Sequence, residues 1–233
     1  MGTSDEPPPR SSGLQARKVR LTPSEASRAI YIDFEGTATD PASFLGFFIE
    51  GVWEVVVLEP ELHAAVVHHP LGTLRAGDPV GTYRSLQDRA RLEDRRIVAW
   101  SNRELDEILT ESRLSAEEHD WWRESLVNAL PPAKSWANRA GVSVPSIPSN
   151  RGGRENKWSL SAFRQATGYG EISALFEPGK TASRIRAVRQ QLEKRGTYDQ
   201  ITPVVKAKWS KVLTHNFHDC AGLAHVVQTV FAD

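Results

Sequence analysis

The sequence predicts an α/β fold in which a mixed β-sheet is covered by helices. Three strand signals follow one another between residues 29 and 58, a short apolar run at 96–100 stands between helical patterns, and from residue 115 onward the periodicity is helical. Strands first, then alternation with helices, is the order expected of one sheet with helices packed on it. At 233 residues the chain is long enough for one good core and fits one domain better than two.

Residues 1–28 are rich in Pro, Ser, Gly and charge, with too few apolar positions to offset the entropy of ordering, and are expected to form a disordered tail before a domain at 29–233. The first strand covers 29–35, opening on Ala29-Ile30-Tyr31-Ile32. Phe44 to Ile49 and Trp53 to Leu58 are the next two, and Gly51 between them suits a hairpin because it tolerates positive φ. An antiparallel meander is the simplest arrangement. Residues 62–68 fit a strand or a short helix. A helix over 82–91 is followed by the buried strand Arg96-Ile97-Val98-Ala99-Trp100, and Ser101 or Asn102 can cap the next helix, whose Leu105, Ile108 and Leu109 form an apolar stripe. Further helices are expected at 116–129, 131–140, 159–167, 181–195 and 204–231, the last broken near Thr214. A Pro, Ser, Gly and Arg loop fills 141–157. There is no internal repeat.

Composition removes several classes of function. Basic and acidic residues balance at 29 each, so no global field draws the protein to nucleic acid or membrane and any such attraction is local. The single Cys220 excludes an internal disulfide framework and suits a reducing cytoplasm. No apolar stretch approaches the roughly 20 residues that cross a bilayer. The amino terminus has no apolar signal core, and Glu6 stands where a myristoylation signal needs Ser or Thr. The expectation is a soluble cytoplasmic protein with no membrane partner.

Asp33-Phe34-Glu35 is the most informative motif. Its two acids straddle one residue on a strand, so both leave the same face and converge. Converging carboxylates repel unless a cation lies between them, and a hard divalent metal with open positions for water and phosphate is the usual solution. A third acidic centre stands in His215-Asn216-Phe217-His218-Asp219-Cys220-Ala221-Gly222-Leu223, where Asp219 heads a helix that buries Leu223, Val226, Val227 and Val230.

The order of these elements resembles the DEDD exonucleases of the ribonuclease H-like fold, in which four acids hold two metals. His-Asn-x-x-Asp-Cys-x-x-Leu is similar to the Tyr-Asn-x-x-Asp-Cys signature of a bacterial branch of predicted nucleases. Lys157-Trp158-Ser159-Leu160-Ser161 followed by Thr167-Gly168-Tyr169 is similar to the Ser-Leu-Lys and Gly-Tyr segment of that branch. The resemblance spans residues 29–231. It implies a ribonuclease H-like mixed sheet with flanking helices, two Mg²⁺ or Mn²⁺ ions, and Asp33, Glu35 and Asp219 among the ligands. For the second motif Glu104 and Asp106 both stand open: each flanks the apolar stripe by about 100°, Glu104 is nearer the strand end, and Asp106 follows an apolar residue as the family's acid does. The resemblance also implies His215, four residues before Asp219, as general base, since a neutral imidazole can deprotonate a metal-bound water; His218 faces another side of the helix. The implied mechanism places one metal on Asp33 and Asp219 beside the attacking water and another on Asp33 and Glu35 beside the leaving 3′ oxygen.

The expected activity is 3′–5′ exonuclease cleavage at single-stranded DNA or RNA ends. A structure-selective endonuclease with the same site and a nucleic-acid-binding scaffold without catalysis are the alternatives. Lys157, Arg186, Arg189, Lys206, Lys208 and Lys211 are the expected substrate-binding cations, drawn largely from a basic segment at 180–211. Trp158 and Trp209, beside basic residues, are the tryptophans placed to touch substrate, whereas Trp53, Trp100 and Trp136 read as core. Gly179-Lys180-Thr181 does not make a phosphate loop, because Ala174 stands where the first Gly is needed. His215, His218 and His225 do not have the spacing of a closed zinc site.

Overall fold

β1 (Ile30–Gly36) lies inside a six-stranded sheet of order β4-β3-β2-β1-β5-β6, and every acid of interest is positioned relative to it. The computed structural model describes residues 20–37, 40–148, 155–170 and 180–232. β1 pairs antiparallel with β2 (Ala42–Ile49), and β2 pairs antiparallel with β3 (Val52–Val57), which is the expected meander. Its hairpin closes through Glu50 and Gly51, with φ of 49° and 86°, a two-residue turn whose twist matches the strands it joins. After a 3-10 turn over Pro60–Ala65, β4 (Gly72–Ala76) returns parallel to β3 at the sheet edge.

On the other flank the chain passes through α2 (Pro79–Leu92) into β5 (Ile97–Ala99), parallel to β1. It continues through α3 (Arg103–Leu109) and α4 (Ala116–Ser125) into β6 (Leu126–Asn128), parallel to β5. α5 (Leu130–Ala140) follows, then the two-residue ladder β7 (Ile147–Pro148) with β8 (Glu155–Asn156), α6 (Leu160–Ala166), α7 (Thr181–Arg195) and α8 (Pro203–Val230). No helix among the described residues is long and apolar enough to cross a membrane.

The alternation of β1 separates two layers. Ile30 and Ile32 pack with Val80, Tyr83 and Leu86 of α2, Ile108 of α3 and Trp122 of α4. Tyr31 packs on the opposite face with Leu223, Val226 and Val227 of α8 and Phe163 of α6. Because side chains alternate along a strand, Asp33 and Glu35 continue the Tyr31 face, toward α8. A third cluster joins Phe44, Trp53 and Val55 to Ile185 and Val188 of α7 and Trp209 of α8.

Several expectations need correction. Residues 1–19 of the expected tail lie outside the described residues, but the last part of that segment is ordered: Thr22 and Glu25 form a reciprocal capping box for α1 (Pro23–Arg28), and Leu21 and Ala26 are buried. Residues 126–128, read as the end of a helix, are strand β6, because a three-residue apolar run has no period of its own. β4 was not expected at all. α8 does not break at Thr214, whose hydroxyl donates back to the Ser210 carbonyl (2.8 Å) while the helix continues. Trp209 is fully buried with its indole N–H on the Ala65 carbonyl, so it belongs to the core. Gly179 and Ala174 lie outside the described residues, as does 149–154 of the expected loop.

One buried amide ties α8 to the sheet. Asn216 donates from Nδ2 to Asp33 Oδ2 (2.9 Å) and to the Asp33 carbonyl (3.1 Å), and its Oδ1 accepts from Trp53 Nε1 (3.2 Å). It reaches both strands because Gly46, directly across from Asp33 and Val55, has no side chain: a Cβ there would stand 1.7 Å from Asn216 Oδ1. Gly46→Ala is expected to destabilise the fold by about 1–3 kcal/mol through overpacking. Asn216→Ala costs a similar amount, about 1–3 kcal/mol, by orphaning its buried partners. Because the two share one contact, the double variant should lose less than the sum in urea denaturation. Strict additivity would show that the contact is not formed.

Candidate metal centre

The acids converge because three elements end or cross at one place. β1 carries Asp33 and Glu35 and is bulged immediately after Glu35, a device that turns a strand out of its pairing. β5 runs parallel beside it, so α3 starts at the same edge of the sheet. Ser101 holds the Glu104 carboxylate there, donating to Oε2 from its main-chain N–H (3.2 Å) and its hydroxyl (2.9 Å). α8 then lays Asn216 against Asp33, which brings His215 and Asp219, one turn apart, over the strand. His215 Nε2 lies 3.3 Å from Asp219 Oδ2 and 3.7 Å from Glu35 Oε1.

The surroundings of these carboxylates disfavour their charged forms. Burial pushes Asp33 well above the usual carboxylate range, and the neighbouring charges of Asp219, Glu35 and Glu104 add to it, against the opposing Asn216 hydrogen bond. Burial raises Glu35 to about 7, opposed by His215 and Arg103 and reinforced by Asp219. Burial also raises Glu104, whose hydrogen bonds from Ser101 work the other way. A divalent cation bound among these side chains would favour their ionised forms and offset their repulsion. Glu35, His215 and Asp219 can each offer one ligand atom, all lying within 4.8 Å of one another. Oxygen donors with one imidazole fit a hard or borderline divalent ion such as Mg²⁺ or Mn²⁺. A cleft of about 60 Å³ opens beside Asp33, Glu35, Arg103 and Glu104. A larger surface hollow of about 520 Å³ along residues 66–74 has no carboxylate in its wall.

Arg164 of α6, 4% exposed, also enters this cluster. Its Nη1 pairs with Asp219 Oδ1 and donates to the His218 carbonyl (2.9 Å). The side chain crosses α8 at Gly222, where a Cβ would stand 2.1 Å from Arg164 Cδ. Its guanidinium lies 5.9 Å from the Tyr169 ring centre, and the Tyr169 hydroxyl meets His218 Nδ1 at 3.2 Å. Arg164 and Tyr169 thus bring α6 and the residues after it against the part of α8 that carries His218 and Asp219.

Of the residues expected at the site, Asp33, Glu35, Glu104, His215 and Asp219 are brought together. On α3 it is Glu104, 8% exposed, that lies within the field of Asp33, whereas Asp106 is exposed. His218 turns to Tyr169, and His225 Nε2 to the Thr167 carbonyl (2.9 Å). The basic residues divide. Lys208 and Lys211 precede His215 by seven and four residues and share its face of α8. Lys206 faces away, donating to the Asp199 carbonyl (3.0 Å) with its ammonium over the Tyr198 ring. Arg189 is engaged with Glu59 and with Asp40 (3.2 Å), so its charge is already matched, while Arg186 is exposed. Lys157 and Lys134 place their ammonium groups 5.1 Å and 5.0 Å from the Trp158 ring centre. The expectation missed Arg164 and the bridging role of Asn216. Two glycines inside regular elements, Gly46 and Gly222, are the signals that would have revealed both close approaches.

Comparison with protein-family models, with curated proteins and with solved structures finds no match to this chain.

The raised carboxyls set a pH dependence. A carboxyl whose folded value lies above its unfolded one binds more protons when folded, so it lowers stability as pH rises from 4.5 to about 7, the interval spanned by Glu35. His69 and His218, held below their ordinary value by burial, act in the opposite sense near the top of that interval. Thermal melts in chelator should therefore show Glu35→Gln gaining stability relative to the wild type as pH rises through the interval. Mn²⁺ should raise the wild-type melting temperature more than that of the variant. A stability difference constant with pH would mean that burial does not hold the Glu35 carboxyl above its ordinary value.

Proposed function

We propose that this protein is a metal-dependent nuclease that hydrolyses phosphodiester bonds, removing nucleotides from the 3′ end of single-stranded DNA or RNA. The observation that carries this reading is the convergence of Asp33, Glu35, Glu104 and Asp219 from a strand and two helices, with the His215 imidazole facing Glu35 and Asp219. A mixed six-stranded sheet with helices on both faces is compatible with the ribonuclease H-like fold that the sequence motifs resemble.

Asp33, Glu35, Glu104 and Asp219 would hold Mg²⁺ or Mn²⁺. When bound, such an ion makes water a nucleophile near neutral pH and offsets charge developing on phosphate oxygens. The chain's own groups supply the rest. Asn216 fixes Asp33 by binding one of its carboxylate oxygens. Ser101 does the same for Glu104. His215 Nε2, facing Glu35 and Asp219, can take the proton of the attacking water, and those carboxylates stabilise the imidazolium that results. Lys208 and Lys211, on the same helical face, are placed to hold the phosphates of a strand leading away from the site. The cleft is too small for a nucleotide, so the polymer would lie across its mouth.

The test is cleavage of 5′-labelled single-stranded DNA and RNA with Mn²⁺ by the wild type, Asp33→Ala and Asp219→Ala. A ladder shortening from the 3′ end, weakened on the order of 10²–10³-fold or more in both variants, is expected. Cutting of a closed circular substrate would assign an endonuclease instead. Retained nucleic-acid binding in chelator with no cleavage under any divalent metal would overturn the enzyme reading in favour of a binding scaffold.

A further inference from the structure

We infer that Arg164 supplies the second positive charge of this centre, so that the site binds one divalent ion and not two. The inference rests on the metal-dependent reading above and concerns how the carboxylates share their charge.

Two ions need carboxylates that bridge, with oxygens free for both. On Asp219, Oδ1 is held by Arg164, which leaves Oδ2, 3.3 Å from His215 Nε2, as its one oxygen for an ion. Asp33 Oδ2 accepts from Asn216 and Glu104 Oε2 accepts from Ser101, which fixes the orientation of both carboxylates. Among the described residues, the potential ligand atoms that close to within 4.8 Å of one another belong to Glu35, His215 and Asp219, a set suited to a single ion. Arg164 is not a surface cation that has drifted in. It is 4% exposed, anchored at once to the His218 carbonyl and to Asp219, and it reaches them only because Gly222 leaves the helix bare where it crosses. A guanidinium keeps its charge at any pH the fold tolerates, so the pairing is permanent where a metal ion would exchange. A glycine inside a long helix costs about 1 kcal/mol against alanine, and here it opens the path for that cation. Arg164 is thus a positioning residue: it fixes Asp219 so that Oδ2 is presented to His215, and it fills the charge that a second ion would carry.

The experiment counts ions directly. Full-length protein is titrated with Mn²⁺, and free Mn²⁺ is read by electron paramagnetic resonance, for the wild type, Arg164→Met and Gly222→Ala. The glycine variant removes no charge and favours the helix, while its methyl group displaces Arg164 from Asp219; it stands in if Arg164→Met does not fold. One ion in the wild type and two in a folded variant is the expected result. Two ions in the wild type, or one in the wild type and in every folded variant, would overturn the inference and leave the metal-dependent reading intact. No ion in the wild type would overturn that reading, and this inference with it.

Discussion

The structure depends on the side-chain amide of Asn216. It is wholly buried and meets Asp33 and Trp53 on two strands at once, with Gly46 between them giving it room. Apolar packing alone would let α8 slide along the sheet at little cost, since Val, Leu and Ala are roughly interchangeable along its buried face. A buried amide does not allow such a slip, because displacement leaves its donors and acceptors without partners. The register fixed in this way places His215 just before the amide and Asp219 one turn after it. The chemistry of the site is therefore a consequence of where one neutral polar group docks.

The second constraint is electrostatic. A sheet edge with buried carboxylates is a poor place to store negative charge, and the folded chain answers in three ways. Asn216 and Ser101 each hold one acid by a single oxygen. His215 stands between Glu35 and Asp219. Arg164 neutralises Asp219 from the α6 side, and Arg103 contributes from the cleft wall. What is left uncompensated is concentrated on Asp33, Glu35 and Glu104, where the ionised forms are most strongly disfavoured. The same surplus that burdens the fold is what would make a divalent cation bind there and stabilise it.

Much of this was legible in the sequence. The meander was readable because its strands are long, apolar and joined by a turn containing Gly51. Asp33 and Glu35 were readable because alternation in a strand dictates a common face, and Asp219 because its helix carries a clear apolar stripe. The short elements were not: β6 has three residues, and β4 is largely exposed, so neither has a pattern to detect. α1 was hidden by the composition of the segment before it, although its Thr22 and Glu25 spell a capping box. Helical angles do not show which of Glu104 and Asp106 lies beside Asp33, because that depends on Ser101 holding Glu104 at the carboxyl end of β5. The basic helix misled, since a cation count does not reveal that Arg189 is matched by Glu59 and Asp40 from distant parts of the chain.

The central claim is that these acids are the seat of a divalent ion. Crystals grown with Mn²⁺ and measured at the manganese absorption edge test it most directly. The account predicts anomalous density in the cleft, bounded by Asp33, Glu35 and Glu104 and lying on the side of Asp219 that faces His215. Density confined to surface carboxylates, or none at the cluster at an occupancy where surface sites are filled, would contradict it.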